Sequence, residues 1–254
     1  MSHSPATPRA DADVPEAATW LAKAYVEPAV HALRPDYRAL LIVAEGLVPG
    51  PSDDVSDELL ATGTAQARDR LGAGGVEDEP HVVAWREAFR GFGAKPKRTR
   101  SSVEALLRRL DDGLPRIDRL TDAYNAVSIA HAVPVGGEDI DHYEGPLRLV
   151  RATGEEAFDT IDKGEPTVDH PQPGEVVWRD DAGVTYRRWN WRQCVRTRLT
   201  GATTRAVFVI DALAPMDDTA VEAAGAALVE ALRMTSPDVR LTSRILRPIE
   251  ALRP

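Results

Sequence analysis

Residues 205–246 read "RAVFVIDALAPMDDTAVEAAGAALVEALRMTSPDVRLTSRIL", and this segment decides the fold class. Its pattern predicts a strand over 206–213, a helix over about 219–233 and a strand over 240–246. Two strands joined by a helix in this order form a β–α–β crossover unit. We therefore expect the chain to close with a β–α–β unit.

Upstream of this unit, helices dominate the first half of the chain and strands the second. The predicted helices cover residues 55–71, 81–93, a segment starting at 101, and 117–130. The predicted strands cover residues 37–47, 147–152, 174–180 and 184–192, and "PVGGEDID" (134–141) is predicted to be a loop. This order predicts the α+β class, with a mixed sheet or sandwich flanked by helices. Residues 1–14 are expected to be a disordered tail and residues 15–254 a single domain.

Composition narrows the class of protein. The single cysteine, Cys194, excludes an internal disulfide, and the six histidines show no metal-ligand spacing, so no metal or cofactor is expected. No apolar run approaches the ~20 residues that cross a bilayer, and the N-terminus lacks the order of a signal peptide. We expect a soluble, cytoplasmic protein without a membrane partner.

The charge distribution bears on nucleic-acid binding. A net charge of −9 argues against broad, charge-driven binding, and no DNA partner is expected. However, residues 86–119 hold ten Lys or Arg against five Asp or Glu, and residues 179–205 hold seven Arg against two Asp. This asymmetry suits a polyanion with a small footprint, and it suits ordinary charge clustering equally well.

A second segment, "TYRRWNWRQCVRT" (185–197), combines aromatic and cationic side chains. On a strand, alternate side chains share a face. One predicted face carries Tyr186, Arg188, Asn190 and Arg192. The other carries Arg187, Trp189, Trp191 and Gln193. If the tryptophan face packs on the core, the Arg–Asn–Arg row is free to bind phosphate or carboxylate. The alternative is an edge strand whose charges only discourage aggregation.

Three stretches together resemble a known family: "KPKRTRSSVEALLRRLDDGLPRIDRLTDAYNAVSI", "PVGGEDID" and "PGEVVWRDDAGVTYRRWNWRQ". Over residues 80–212 they look like a free-standing member of the B3/B4 family, the tRNA-editing domain of the phenylalanyl-tRNA synthetase beta subunit. In the synthetase this domain hydrolyses tyrosine wrongly attached to the phenylalanine tRNA. The resemblance implies an editing-domain fold and hydrolysis of a misacylated tRNA, bound by its aminoacylated 3′ end.

The resemblance also implies site residues, position by position. Asn125 matches the asparagine of a family helix, Asp139 matches a loop aspartate, and Glu175 follows a matching glycine. Gly136 stands where the synthetase has a histidine that helps to position the substrate. Because no Ser-His-Asp or Cys-His pair is visible, we expect catalysis by positioning and electrostatics.

These considerations give three sets of expected site residues. The catalytic set is Asn125, Glu175, Asn190 and Arg192. The substrate-binding set is Arg188, Gln193, Gly136, Gly137, Asp139, Ser102 and Glu104. The tRNA-phosphate set is Lys95, Lys97, Arg98 and Arg100.

Several alternatives stay open from the sequence alone. Glu104 lies three residues after Ser101, the spacing of a helix capping box, and Asn125 in mid-helix can simply face solvent. The function predicted first is a trans-acting aminoacyl-tRNA deacylase. A non-catalytic module that binds RNA or a small anionic metabolite is the second, and an enzyme acting on a small amino-acid-like or nucleotide substrate is the third.

Overall fold

The computed structural model of the chain describes residues 16–248. The predicted tail, residues 1–14, lies outside the described residues. The helices in the described part are α1 (Glu16–Ala22), α2 (Pro28–Leu33), α3 (Asp54–Leu71), α4 (Pro80–Gly91), α5 (Ser102–Leu107), α6 (Arg119–His131) and α7 (Asp218–Thr235). The strands are β1 (Tyr25–Val26), β2 (Arg38–Glu45), β3 (Val135–Asp139), β4 (Arg148–Arg151), β5 (Phe158–Asp162), β6 (Glu165–Asp169), β7 (Val176–Arg179), β8 (Val184–Arg187), β9 (Arg192–Gln193), β10 (Arg205–Ala212) and β11 (Arg240–Leu246). The α+β class is confirmed.

Two sheets and a ribbon contain these strands. The first sheet has the order β11-β2-β10-β3, the second has the order β1-β4-β7-β8-β9, and β5 and β6 form a two-stranded ribbon. Both β10 and β11 pair antiparallel with β2. The two strands of the closing β–α–β unit are therefore parallel, as predicted, but β2 lies between them.

The apolar side chains form one core on each face of the first sheet. On one face, Leu41 and Val43 of β2 cluster with Trp178 of β7, so the two sheets pack against each other there. On the other face, Ile42 of β2 and Phe208 of β10 pack under α6 and α7. Alternation along the strands thus supplies both cores, because successive residues point to opposite faces.

The helix starts follow side-chain capping. The side chain of Asp118 accepts the backbone N–H of Thr121 at the start of α6. The predicted cap at Ser101 is confirmed, since its hydroxyl accepts the N–H of Glu104 at 3.4 Å. Each such bond satisfies a backbone donor that has no partner inside the helix.

One loop prediction and one strand prediction are wrong. The predicted loop 134–141 contains β3, an edge strand on β10. The backbone of β3 lies close to the ring of Phe208, and a β-carbon at Gly137 would lie 2.8 Å from that ring. Glycine is therefore favoured at this position. The predicted strand 184–192 breaks after Arg187, since Arg188 and Trp189 have φ angles of 47° and 67°. This left-handed backbone turns the chain, so the alternating faces predicted for 186–193 do not exist.

The ribbon of β5 and β6 was not predicted either. It has few strongly apolar residues, and every residue of β6 is exposed. A tight turn at Lys163 and Gly164, both with positive φ, joins its strands. The ribbon is tied to the second sheet through Asp169, which pairs with Arg187 at 2.8 Å.

Candidate functional site

A small cavity lies between the two sheets, where both meet the start of α5. Its walls come from eight residues on five elements and the turn 188–191. They are Ser102, Val135, Gly136, Trp178, Tyr186, Asn190, Val209 and Asp211. The space that can hold the centre of a water molecule is about 10 Å³. This volume is close to what one water requires.

Asp211 is a buried carboxyl group at this cavity. Its Oδ1 accepts the Tyr37 hydroxyl at 2.5 Å and the Trp178 indole N–H at 3.4 Å. Its Oδ2 accepts the Asn190 amide N–H at 3.3 Å. Among residues 16–248, no cationic side chain forms an ion pair with it. Burial therefore raises the pKa of Asp211 to about 7, although these hydrogen bonds oppose the rise.

Two further oxygens at the cavity are buried without a hydrogen-bond partner in the described part of the chain. They are Ser102 Oγ and Asn190 Oδ1. The backbones of the two residues are joined, because the Ser102 N–H donates to the Asn190 carbonyl at 3.1 Å. Native proteins rarely leave buried polar atoms unsatisfied, so such a pair marks a site with a polar ligand or water.

The turn at 188–191 positions Asn190. Trp189 anchors it: the indole is fully buried, with ring centroids 4.9 Å from Tyr37 and 5.3 Å from Trp85. The Trp189 N–H also donates to the Val176 carbonyl at 2.7 Å. The left-handed backbone is thus held by packing on both sides, and it directs the Asn190 amide towards Asp211.

Gly136 faces Tyr186 across the cavity. A β-carbon at Gly136 would lie 2.4 Å from the Tyr186 hydroxyl oxygen and 2.8 Å from its Cζ. The phenol therefore fills the space that a side chain at 136 would need. Gly136 is the glycine at the position of the family histidine, and the bulky Tyr186 side chain of the second sheet packs against it.

Trp191 carries two stacked arginines outside the cavity. The guanidinium carbons of Arg188 and Arg192 lie 4.5 Å and 4.6 Å from the centroid of its ring. Arg188 also donates to the Thr99 hydroxyl at 2.6 Å, which ties the turn to the segment before α5. Stacking fixes these two cations in place and leaves edge N–H groups for an anion.

A basic hollow borders the same segment. Its volume is about 520 Å³, and we call it the Lys/Arg hollow. It is lined by Arg86, Arg90, Ala94, Lys95, Pro96, Lys97 and Arg98. Residues 94–98 line the hollow and Ser102 lines the cavity, so three of the four predicted phosphate-binding residues belong to the segment that leads into the cavity. Arg100, the fourth, lies 3.6 Å from Glu104 instead.

Several other predicted site residues are engaged in structural contacts. Glu104 is buried and bonded to Arg86 and Arg108. Burial alone would raise the pKa of Glu104, but these hydrogen bonds hold it below its usual value. Asp139 accepts the Asp141 N–H and the Thr203 hydroxyl.

Glu175 forms two hydrogen bonds with the guanidinium of Arg187, at 2.5 Å and 2.9 Å, and accepts the Arg188 N–H. Through its hydrogen bond with the Arg188 N–H, Glu175 stabilises the start of the turn 188–191. Gln193 donates to the carbonyls of Gly137 and Thr197, which joins the end of the turn to β3.

The structure does not assemble the predicted site in full. It brings Ser102, Gly136 and Asn190 to one cavity, but Asn125, Arg188 and Arg192 are not among the residues that line it. Asn125 is buried on α6. The predicted row of Arg188, Asn190 and Arg192 is dispersed, because the turn buries Asn190 and exposes Arg192.

Sequence reasoning missed Asp211 and Tyr186 as cavity residues. Asp211 is the lone charge inside the apolar run "AVFVIDAL". A lone carboxyl in a predicted buried strand is a usable signal, because burying a charge is costly unless it is paired or functional. Tyr186 gave no such signal, since its partner is a glycine on another strand.

A second buried carboxyl lies nearby on β3. Glu138 is fully buried and accepts the hydroxyls of Tyr143 and Thr197, the latter at 2.5 Å. Burial raises its pKa to about 7, against the effect of these hydrogen bonds. It does not line the cavity, but it shows that this part of the first sheet tolerates two carboxyls without ion pairs among the described residues.

Two other kinds of feature are absent from residues 16–248. No group of three or more His, Cys, Asp and Glu side chains there is arranged to hold a metal ion. Within the same residues, no helix combines the length and the apolar character required to cross a membrane.

The family assignment comes from a sequence comparison. The model of the B3/4 domain family matches residues 84–232, more than half of the chain, and this span includes α5, the turn 188–191 and β10. The chain belongs to the B3/4 domain family. The resemblance seen in the sequence is thereby confirmed, and the cavity of this B3/4-domain chain lies within the matched span.

The solved structures similar to this B3/4-domain chain include a fragment of a tRNA synthetase subunit. This is the crystal structure of an N-terminal fragment of the phenylalanyl-tRNA synthetase beta-subunit from Pyrococcus horikoshii, with 15% sequence identity and a TM-score of 0.43. The match covers 88% of this chain and 50% of the fragment, so the chain spans about half of the fragment's length. No curated protein sequence matches the chain significantly.

Proposed function

We propose that this protein binds the aminoacylated 3′ end of a tRNA and hydrolyses its ester in trans. The observation that carries the proposal is the pair of buried, unpartnered oxygens on Ser102 and Asn190, at a cavity that Asp211 also lines. The Lys/Arg hollow is lined by residues of the segment just before Ser102. Membership of the B3/4 family supports the RNA partner, because the sequence resembles a tRNA-editing domain.

The hollow would hold the nucleic acid. Lys95, Lys97 and Arg98 present cations on a concave surface that suits the phosphates of a single-stranded 3′ end. Arg188 and Arg192, fixed on the Trp191 ring, would bind the phosphates nearest the cavity. The net charge of −9 opposes binding elsewhere on the surface, which favours a short footprint.

The cavity would hold one end of the aminoacyl group, because it is too small for the whole group. Ser102, Asn190 and Asp211 offer polar atoms to the amino acid, while water adds to the ester carbonyl and the bond to the ribose oxygen breaks. The products are a free amino acid and a tRNA with a free terminal hydroxyl. Placed groups of this kind accelerate an already labile ester by orientation and electrostatics. We assign Glu175 to positioning, because its carboxylate holds the turn that carries Asn190.

The test is a panel of purified tRNAs charged with correct and incorrect amino acids, with release of the amino acid followed over time. We expect faster release of at least one amino acid than in buffer, and loss of that release in Asn190→Ala and Arg192→Ala with the fold retained. If no charged tRNA is hydrolysed faster with the protein present, the proposal fails.

A charge-reversal experiment tests the hollow separately. Lys95→Glu with Arg98→Glu should weaken tRNA binding and reduce the slope of log affinity against log salt by roughly 0.7 for each lost phosphate contact. The matched control, with the same change in charge, is Lys163→Glu with Arg233→Glu, at two exposed positions of the β5–β6 turn and α7. Equal losses in the two proteins would contradict the assignment of the hollow.

A second candidate function is supported by the size of the cavity. Because Tyr186 fills the space beside Gly136 and only about 10 Å³ is open to the centre of a water molecule, an amino acid side chain fits only if Tyr186 moves. A module that binds the RNA end through the hollow without catalysis accounts for this closure. It predicts tight, salt-sensitive binding with no release of amino acid above the rate in buffer.

A further inference from the structure

The small cavity is lined by several residues with buried side-chain oxygens. Three of the residues that line a space of about one water have buried side-chain oxygens: Ser102, Asn190 and Asp211. Asn190 is 5% exposed and Asp211 is 3% exposed. Two of these oxygens, those of Ser102 and Asn190, have no partner within residues 16–248.

The amide oxygen fixes the polarity of the site. The amide nitrogen of Asn190 donates to Asp211, so the amide oxygen is the atom left for the cavity, and it can only accept. The Asp211 carboxylate likewise only accepts when it is charged. These acceptors are best satisfied by a small group with several hydrogen-bond donors and a positive charge. A water molecule supplies only two donors and no charge.

A primary ammonium group meets these requirements. It is close to water in size, carries three N–H donors and no acceptor, and would provide the cation that Asp211 lacks among its described neighbours. The raised pKa of Asp211 is in keeping with this reading, because it reflects a buried carboxyl without a nearby positive charge.

We propose that the cavity binds the α-ammonium group of the aminoacyl ester, through Ser102 Oγ, Asn190 Oδ1 and Asp211, and so selects esters with a free amine. This proposal rests on the function proposed above and adds its mode of substrate selection. N-acylated esters lack the charge and two of the donors, and they add bulk that the cavity does not admit. The side chain of the amino acid then lies outside the cavity, so the selection does not depend on its identity.

The experiment uses binding to stable analogues in place of hydrolysis. The probes are 3′-alanylamino-3′-deoxyadenosine, its N-acetyl derivative, and the lactyl analogue in which a hydroxyl replaces the amine. Titration calorimetry gives the three affinities at a pH at which the amine is protonated. We expect the free amine to bind about tenfold to a hundredfold more tightly than the other two, the range for a hydrogen bond to a charged group.

Variants locate the preference. In Ser102→Ala the preference for the amine should fall severalfold without a loss of stability, because the hydroxyl has no partner in the described structure. In Asp211→Asn it should disappear. Ser243→Ala, on exposed β11, is the matched control and should keep the full preference. Circular dichroism shows whether each variant folds, and the Ser102 variant carries the test if Asp211→Asn does not.

The outcomes separate the two proposals. If the lactyl analogue binds as tightly as the amine, the ammonium inference is overturned and the deacylase proposal stands. If a charged tRNA is hydrolysed equally fast with and without an N-acetyl group, the inference is overturned in the same way. If no analogue binds and no charged tRNA is hydrolysed, both proposals fail.

Discussion

The contact between Gly136 and Tyr186 gives the sharpest test of the cavity. In Gly136→Ala, the new methyl carbon would lie 2.4 Å from the Tyr186 hydroxyl oxygen, while ordinary van der Waals contact begins at about 3.4 Å. The φ angle of Gly136 is not in the left-handed region, so alanine meets no backbone strain there. The whole cost must therefore come from the overlap with the phenol.

The size of the effect follows from overpacking. The phenol must move by about 1 Å in a packed environment, and forced shifts of this kind cost about 1–3 kcal/mol in the free energy of unfolding. For a domain of this length, each kcal/mol lowers the melting temperature by about 2–4 °C. Urea unfolding followed by circular dichroism measures the change.

The matched control is Gly201→Ala, where a β-carbon meets nothing within 4 Å. Its stability should change by less than about 0.5 kcal/mol, as for other surface substitutions. A double-mutant cycle then isolates the contact: in a Tyr186→Ala background, Gly136→Ala should cost nothing. The reasoning is refuted if Gly136→Ala is as stable as the wild type, or if its cost is the same in both backgrounds.

Three further predictions concern the buried polar groups. The pKa of Glu138 is about 7 in the folded protein and 4.5 in the unfolded chain. The contribution of Glu138 to stability is therefore complete below pH 4.5 and is lost as the pH rises through 7. In urea titrations, the free energy of unfolding of Glu138→Gln relative to that of the wild type should increase between these two pH values. Arg187→Met should lower the free energy of unfolding by about 3–5 kcal/mol because it removes both short hydrogen bonds from the buried Glu175 and leaves only the Arg188 guanidinium, at 3.6 Å, as its ion-pair partner. The double variant with Glu175→Leu should recover much of the loss, whereas simple addition of the two single effects would contradict the pairing. Cys194 is buried and its thiol pKa is raised to about 12, chiefly by burial, so iodoacetamide should modify it only as the protein unfolds, and rapid modification of the native protein would be inconsistent with this structure.

The sequence predicts the regular elements well where apolar periodicity is strong. β11 was predicted at 240–246 and spans Arg240–Leu246, and α3 was predicted at 55–71 and spans Asp54–Leu71. Both have a clear apolar pattern or clear end signals. β3 and the β5–β6 ribbon were missed because the glycines of β3 and the aspartates and proline of β5 and β6 are typical of turns, and only pairing with a neighbouring strand makes these segments extended.

The site was harder to predict for a different reason. The alternating faces assigned to residues 186–193 assume a regular strand, but the burial of Trp189 stabilises a left-handed turn that local pattern does not reveal. Asn190 consequently faces Asp211, with which it has no relation in sequence. The cavity is formed by contacts between strands that lie far apart in the chain. The sequence shows which polar and aromatic residues are present, but not which of them come together at the cavity.

The position of β2 between β10 and β11 has a consequence for synthesis on the ribosome. β2 spans Arg38–Glu45, but both strands that pair with it lie after residue 204. A growing chain therefore carries this apolar segment without its sheet partners until residues 205–212 of β10 have been translated. During that interval the segment depends on early helices or on chaperones to avoid aggregation.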